Sequence, residues 1–293
     1  MISGKHTDRN FGARGAAVCQ RVEDNAFHLH RQHARQRSRC GSLQILPGKM
    51  EIVPIGDSAL IVRVREQFED APEETLDEVL RVSELLQHAE IPGVIELAPA
   101  YTSVAVFFDP VAVLEAKGAV NGLSDWVATR VRAAVAGAGH RGRTRRSASS
   151  RIIEIPVCYD PEFAPDLDDV ERHTHITMTK IVELHSAAEY RVACIGFVPG
   201  FPFLAGLPKK LATPRRPTPR REIPPGSVGI GGAQTGIYPL RSPGGWNLIG
   251  RTPLKLFDPT KDPPTLLRAG DRVRFRAITR EEFDDLKRQD GRP

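Results

Sequence analysis

Residues 224–251 read PPGSVGIGGAQTGIYPLRSPGGWNLIGR. Short apolar groups alternate there with glycine and proline, a spacing that suits brief strands and tight turns rather than a helix. The same texture runs from Tyr190 to about Ile278 and predicts a closed, mostly β barrel with long loops. Upstream, Arg151–Cys158 (RIIEIPVC) reads as a strand, followed by short helical stretches around Leu167–His173 and Thr179–Ala188. Downstream, Gly270-Asp271 is a turn leading into an alternating strand, Arg272–Ile278.

Three segments of this half concentrate chemistry. The glycine-rich stretch has neither G-x-x-x-x-G-K-[ST] nor a strand–GxGxxG–helix setting, so it is not a phosphate loop. It offers polar side chains among residues that allow close backbone approach: Gln234, Thr235, Tyr238, Ser242, Asn247 and Arg251. The Gln234 amide both donates and accepts. A Tyr238 hydroxyl suits a carbonyl or a developing oxyanion, although Tyr238 and Trp246 also suit a barrel core. The second segment, Gly196–Pro208 (GFVPGFPFLAGLP), is stiffened by glycine and proline. It reads either as one wall of a substrate pocket, with Gly196, Phe197, Pro199, Gly200 and Phe201 lining it, or as a loop that plugs a barrel end. The third, Pro214–Arg221 (PRRPTPRR), is held extended by its prolines. Its guanidiniums suit carboxylate or phosphate. For at least two of the four, a solvated loop or salt bridges to a partner subunit is the better account.

Other chemical signals are weak. His185 has no partner visible in the sequence, and His173 and His175, two residues apart, do not share a helix face. No Ser/His/Asp order stands out and G-x-S-x-G is absent. The four cysteines, Cys19, Cys40, Cys158 and Cys194, form no C-x-x-C, which argues against a metal site or a disulfide framework and suits a reducing, cytoplasmic setting.

The chain has 293 residues, 40% hydrophobic and 26% charged, and fits one large or two medium domains. No apolar run approaches the ~18 residues of a membrane span. The net charge of +5 is concentrated in residues 1–49, which hold nine Lys/Arg and three acids, so the remainder is close to neutral. That distribution argues against nucleic-acid binding. Residues 1–49 have no hydrophobic signal core and read as a poorly ordered upstream extension, with Met50 as the natural start.

From Met50 the pattern becomes regular. Glu51–Val64 reads as two short strands around Gly56-Asp57, and Thr75–Ala89 as a helix with an apolar stripe ended by Ile91-Pro92-Gly93. Val94–Ala98 and Ser103–Phe108 read as a strand pair. Ser124–Ala136 reads as a second helix with Ser124 as N-cap. The β-α-β-β-α order, to which a last strand could add, predicts a ferredoxin-like sandwich. The expected division is an extension at 1–49, a ferredoxin-like domain at 50–137, a linker at 138–150, a barrel at 151–285 and a tail at 286–293.

GFVPGFPFLAGLP, ATPRRPTPR, PPGSVGIGGAQTGIYPLRSPGGWNLIGRTP and LLRAGDRVRF together resemble the family that includes the B-type subunit of 5-oxoprolinase, the kinase inhibitor KipI and allophanate hydrolase subunit 1. The resemblance covers roughly Met50 to Ile278. It implies a ferredoxin-like domain followed by a cyclophilin-like barrel. It also implies a companion resembling the C-type subunit of 5-oxoprolinase or allophanate hydrolase subunit 2, and a LamB/YcsF-type third subunit. The implied activity is ATP-dependent opening of 5-oxo-L-proline to L-glutamate, with Mg2+ accompanying ATP and neither metal nor biotin held by this chain. Alternatives are a subunit acting on urea or a related amide, and an inhibitor of a sensor histidine kinase. In this reading Gln234, Tyr238 and Arg251 are catalytic. Gly196, Phe197, Pro199, Gly200, Phe201, Arg215, Arg216, Arg220, Thr235 and Trp246 bind substrate or nucleotide.

Overall fold

A computed structural model describes residues 50–117, 122–137 and 152–290. The readings made for 1–49 and for the linker at 138–150 lie outside the described residues. The described chain falls into two compact units, one on each side of that linker.

In the first unit, β1 (Glu51–Ile55) and β2 (Ala59–Arg63) form a hairpin around Gly56, and β3 (Val94–Ala100) and β4 (Ser103–Phe108) form another. The strands are antiparallel neighbours in the order β1-β2-β4-β3. The edge beside β2 is thus held by the first strand rather than by a last one. The central strands are mostly apolar, with Leu60, Val62, Val104 and Val106 fully buried. Helix α1 (Pro72–His88) starts on a proline that needs no amide partner, followed by Glu73 and Glu74 at its positive end. Its stripe of Leu76, Val79, Val82 and Leu86 is buried, the last three in one cluster with the sheet residues. Two helices complete the unit: α2 (Pro110–Lys117), which the sequence pattern does not announce, and α3 (Leu123–Gly137). Because α3 begins at Leu123, with Trp126 N–H bonded to Gly122 O, Ser124 lies inside the helix and does not cap it.

The second unit is a closed barrel. Its strands are β5 (Ile152–Cys158), β6 (Glu189–Ile195), β7 (Pro202–Ala205), β9 (Ser227–Gly231), β10 (Gln234–Ile237), β12 (Asn247–Arg251) and β13 (Arg272–Ile278). Pairing follows β6-β13-β5-β12-β9-β10-β7 and returns from β7 to β6. Strands β5 and β13 pair in parallel, and their neighbours in the circuit pair antiparallel. Strand β13 shows the alternation read from its sequence: Val273 and Phe275 point into the core, while Arg272, Arg274 and Arg276 point outward and pair with Glu189 or Glu154. A separate ribbon of β8 (Arg220–Ile223) and β11 (Ser242–Gly244) completes the strands. Helix α6 (Arg280–Asp290) runs through the boundary expected at 285, anchored by Phe283 against Phe163 at 4.5 Å.

Helices α4 (Leu167–Thr174) and α5 (Met178–Ala187) bring His185 into the barrel core. The His185 ring stacks on Phe275 at 4.6 Å and meets strands on opposite sides of the barrel circuit. Its bonds fix its tautomer. The Thr235 hydroxyl donates to Gly229 O at 2.9 Å, so it accepts from His185 Nε2–H at 3.0 Å. Nδ1 therefore accepts from the Tyr159 hydroxyl at 2.8 Å. Tyr190 O–H closes the group by donating to His185 O at 2.8 Å.

Burial holds the His185 imidazole near a pKa of about 3, against 6.5 when exposed. The unfolded chain therefore binds a proton that the folded chain refuses. Stability should fall as pH drops from about 6.5 toward 3, with a slope of order 1 kcal/mol per pH unit from this group. Urea unfolding of wild type and His185→Leu between pH 7 and 5, where carboxylates stay ionised, should show the variant less stable at pH 7 and less dependent on pH. Equal slopes would contradict this assignment.

Candidate functional site

Strand β10 divides its side chains between two environments. Thr235 and Ile237 face the barrel interior, so by the two-residue alternation of a strand Gln234, Gly236 and Tyr238 lie on the outer face. On β7, Leu204 is interior and Phe203 is outside. A layer of aromatic rings covers this outer face. Phe201 lies 4.7 Å from Phe203, 5.0 Å from Tyr238 and 5.5 Å from Trp246, and Phe203 meets Trp246 at 5.8 Å. Glycine makes room for the rings. A Cβ on Gly231 would lie 2.5 Å from the Trp246 indole, and one on Gly244 would lie 2.5 Å from the Tyr238 hydroxyl oxygen.

The Gly196–Phe201 loop joins β6 to β7, closed by Gly196 N–H to Phe201 O at 3.1 Å. Within it Phe197 has φ of +66°, a conformation that favours glycine and that persists only where the surroundings enforce it. Its half-buried ring meets Phe201 at 5.6 Å and Tyr238 at 6.4 Å. The loop is thus a wall of the aromatic layer.

The arginine segment reaches the same layer, held by a residue that sequence reasoning does not single out. Asp166, just before α4, is 1% exposed. Arg220 donates Nη1 and Nη2 to its two oxygens, both at 2.7 Å. Arg216 Nη1 donates to Asp166 Oδ1 at 2.6 Å and to Asp169 at 3.2 Å. The Leu248 N–H supplies a further bond to Asp166 at 2.7 Å. Arg216 and Arg220 are therefore ion-paired within the chain itself. Arg215 is exposed, and its guanidinium carbon lies 5.9 Å from the centre of the Trp246 ring.

Gln234 is half-buried and pairs opposite Gly231, whose Cα lies against the Trp246 ring. Burial pushes the Tyr238 phenol up to about 12, against opposing contributions from the Trp246 backbone N–H and the charges of Arg215 and Arg220. The phenol is therefore neutral at pH 7, beneath the surface. Two predicted site residues lie elsewhere. Thr235 is fully buried on the interior face with His185. Arg251 Nε donates to Pro225 O at 2.9 Å and its guanidinium stacks on Phe163 at 5.6 Å, beside Arg280. Those contacts place it with the α6 anchor and not on the aromatic layer.

The chain also matches known proteins over a range that includes this layer. Residues 50–267 match the family described as carboxyltransferase domain, subdomain C and D. The chain belongs to that family. Among curated members, the B-type subunit of 5-oxoprolinase from Bacillus subtilis (strain 168) is 41% identical over 244 residues, covering 82% of this chain and 98% of that protein. Its counterpart of the same name from Escherichia coli O157:H7 is 42% identical over 222 residues, covering 75% and 93%. Among solved structures, the crystal structure of TTHA0988 superposes with a TM-score of 0.60 at 34% identity; it covers 75% of this chain, which spans 40% of that longer one. The Kluyveromyces lactis urea carboxylase, at 20% identity over 95% of this chain and 27% of its own, shares the fold with a TM-score of 0.60. Among the described residues no helix of this carboxyltransferase-family chain is long and apolar enough to cross a membrane.

Removing the buried carboxylate leaves the Arg220 guanidinium and the Leu248 amide without their acceptor and Arg216 with Asp169 alone. Asp166→Ala should lower unfolding stability by about 2–3 kcal/mol, less than for a fully dry pair because both arginines keep some water. Urea denaturation of the full chain measures this; a loss under about 0.5 kcal/mol would show that the clamp does not hold the segment.

Proposed function

We propose that this chain is the B-type subunit of an ATP-dependent 5-oxoprolinase that opens 5-oxo-L-proline to L-glutamate. The observation that carries the reading is the convergence of the Gly196–Phe201 loop and Arg215 on one aromatic layer, with Gln234 paired opposite the Gly231 that lies against Trp246, in a chain 41% identical over 244 residues to a protein named as a 5-oxoprolinase component, covering 98% of it. In this reading the barrel is cyclophilin-like, and the first unit is ferredoxin-like with β1 in the edge position. The chain works in the cytoplasm, inactive alone, with a companion C-type subunit and a LamB/YcsF-type subunit.

A lactam carbonyl is a weak electrophile. Transfer of the ATP γ-phosphoryl group to the lactam oxygen would turn that oxygen into a leaving group. Water then adds at the carbon, and the C–N bond breaks as the nitrogen takes up a proton, leaving an acyl phosphate; a second water releases phosphate from it and completes the carboxylate of L-glutamate. ATP is a co-substrate of the assembled complex. The glycine-rich stretch is not a phosphate loop, and among the described residues no group of three or more His, Cys, Asp or Glu gathers for a metal ion.

The contribution of this chain is to orient the lactam. The Gln234 amide matches a lactam edge, donating to C=O and accepting from N–H. The aromatic rings provide a flat apolar floor for the ring carbons. Tyr238, kept neutral, supports that floor. A carboxyltransferase-type subunit acting on a urea-like amide is the second reading, favoured by the family description and by a 64-residue match at 44% identity to a urea amidolyase of Lachancea kluyveri.

The full chain, co-expressed with the two companion chains, should release ADP in a manner that depends on 5-oxoproline and on all three chains. Gln234→Ala should reduce kcat/KM roughly 10- to 100-fold, in line with loss of one or two oriented hydrogen bonds. Release of ADP driven by urea and not by 5-oxoproline would favour the second reading; wild-type turnover in Gln234→Ala would remove that residue from the site.

A further inference from the structure

We propose that Arg215 reads a carboxylate on the substrate, and that Asp166 positions it by holding Arg216 and Arg220. This deepens, and rests on, the reading of the aromatic layer as the substrate face. The layer would thereby select an anionic lactam over a neutral amide.

The argument begins with charge. Arg216 and Arg220 are balanced by Asp166 and Asp169, so the clamp as a whole is near neutral. Among the described residues, no carboxylate lies within ion-pair distance of Arg215. Its backbone is nevertheless held on both sides. Asn247 Nδ2 donates to Pro214 O at 2.8 Å, and Arg216 N–H donates to Gly245 O at 2.7 Å. Below these bonds, Arg216 is anchored through Asp166, itself joined to β12 by the Leu248 N–H. An exposed arginine on an exposed loop ordinarily loses much side-chain entropy when it captures a ligand. Here the Cα is fixed and the guanidinium is placed against the Trp246 ring, which leaves its N–H fork open to a planar anion.

Gln234 is on the same outer face, and Gly231 and Gly236 bring their backbones against the Trp246 ring that lies below Arg215. A small ring with an amide and a carboxylate presents those two groups on neighbouring sides. Gln234 would meet the amide and Arg215 the carboxylate. Asp166 touches no substrate in this scheme. It is a positioning residue, acting through the two arginines on either side of the Pro217–Pro219 stretch.

The test uses the assembled complex, with 5-oxoproline as substrate and 2-pyrrolidinone, the same lactam without the carboxylate, as competitor. Arg215→Gln should raise the KM for 5-oxoproline roughly 10- to 100-fold, leave kcat within about threefold, and leave inhibition by 2-pyrrolidinone unchanged. Arg215→Lys should recover part of the loss because it restores charge without the fork. Asp166→Asn should raise KM in the same selective way. An unchanged KM in Arg215→Gln, or equal weakening of both lactams, overturns the inference, since loss of packing on Trp246 would not distinguish them. A wild-type complex with no 5-oxoproline turnover would count against the proposed function and not by itself against Arg215. In that event a Trp126→Phe full chain, with Trp246 as its sole tryptophan, is titrated with 5-oxoproline. A saturable change in emission that Arg215→Gln abolishes and 2-pyrrolidinone does not produce supports the inference; no change overturns it.

Discussion

The carboxylate of Asp166 is the joint that holds the arginine segment over the aromatic face of the barrel. It is nearly inaccessible to water, yet it accepts from two arginines and from the backbone of β12. A buried charge of this kind is tolerated only when several donors replace its hydration. The carboxylate itself stands at the start of α4, and its donors come from the arginine segment and the barrel wall, so satisfying one charge joins three parts of the chain. The segment Pro214–Arg221 has too few apolar side chains to pack itself down, and these bonds give it a defined course over the barrel.

The barrel supplies the other half of the constraint. Because a strand sends successive side chains to opposite faces, β10 can serve the core and the site at once. Thr235 joins the His185 network inside, whereas Gln234 and Tyr238 face the aromatic layer outside. The interior network of Tyr159, His185 and Thr235 fixes the strand from which Gln234 projects. Glycines at 229, 231 and 236 leave the outer surface of β9 and β10 flat enough for large rings to lie on it.

Much of this is legible in the sequence, and the failures have physical causes. Alternation in Arg272–Ile278 and the stripe of α1 report true core faces, because in both the buried residues recur at the period of the element. Helix α6 escapes a sequence reading since REEFDDLKRQD has only Phe283 and Leu286 as apolar anchors, too few to form a stripe. Helix α2 escapes it because PVAVLEAK is short and shows no helical periodicity. The glycine-rich, phenylalanine-rich and arginine-rich segments that stand out by composition meet in one aromatic layer. The roles of individual residues do not follow from composition, because they rest on contacts far apart in sequence: 50 and 54 residues from Arg216 and Arg220 to Asp166, and 50 from His185 to Thr235. Asp166 lies in an acidic run that resembles the solvated start of any helix. Thr235 and Arg251 read as site residues by company, and the pleat of β10 and the Phe163 stack direct them elsewhere.

The central claim is that substrate is held on the outer aromatic face of the barrel, at Arg215, Gln234 and Trp246. It is tested most directly by a crystal structure of the assembled complex with 5-oxoproline bound. The account predicts ligand density over Trp246, with the carboxylate at the Arg215 guanidinium and the lactam edge at Gln234. Density within the barrel interior, at Arg251, or confined to the companion chains would contradict it.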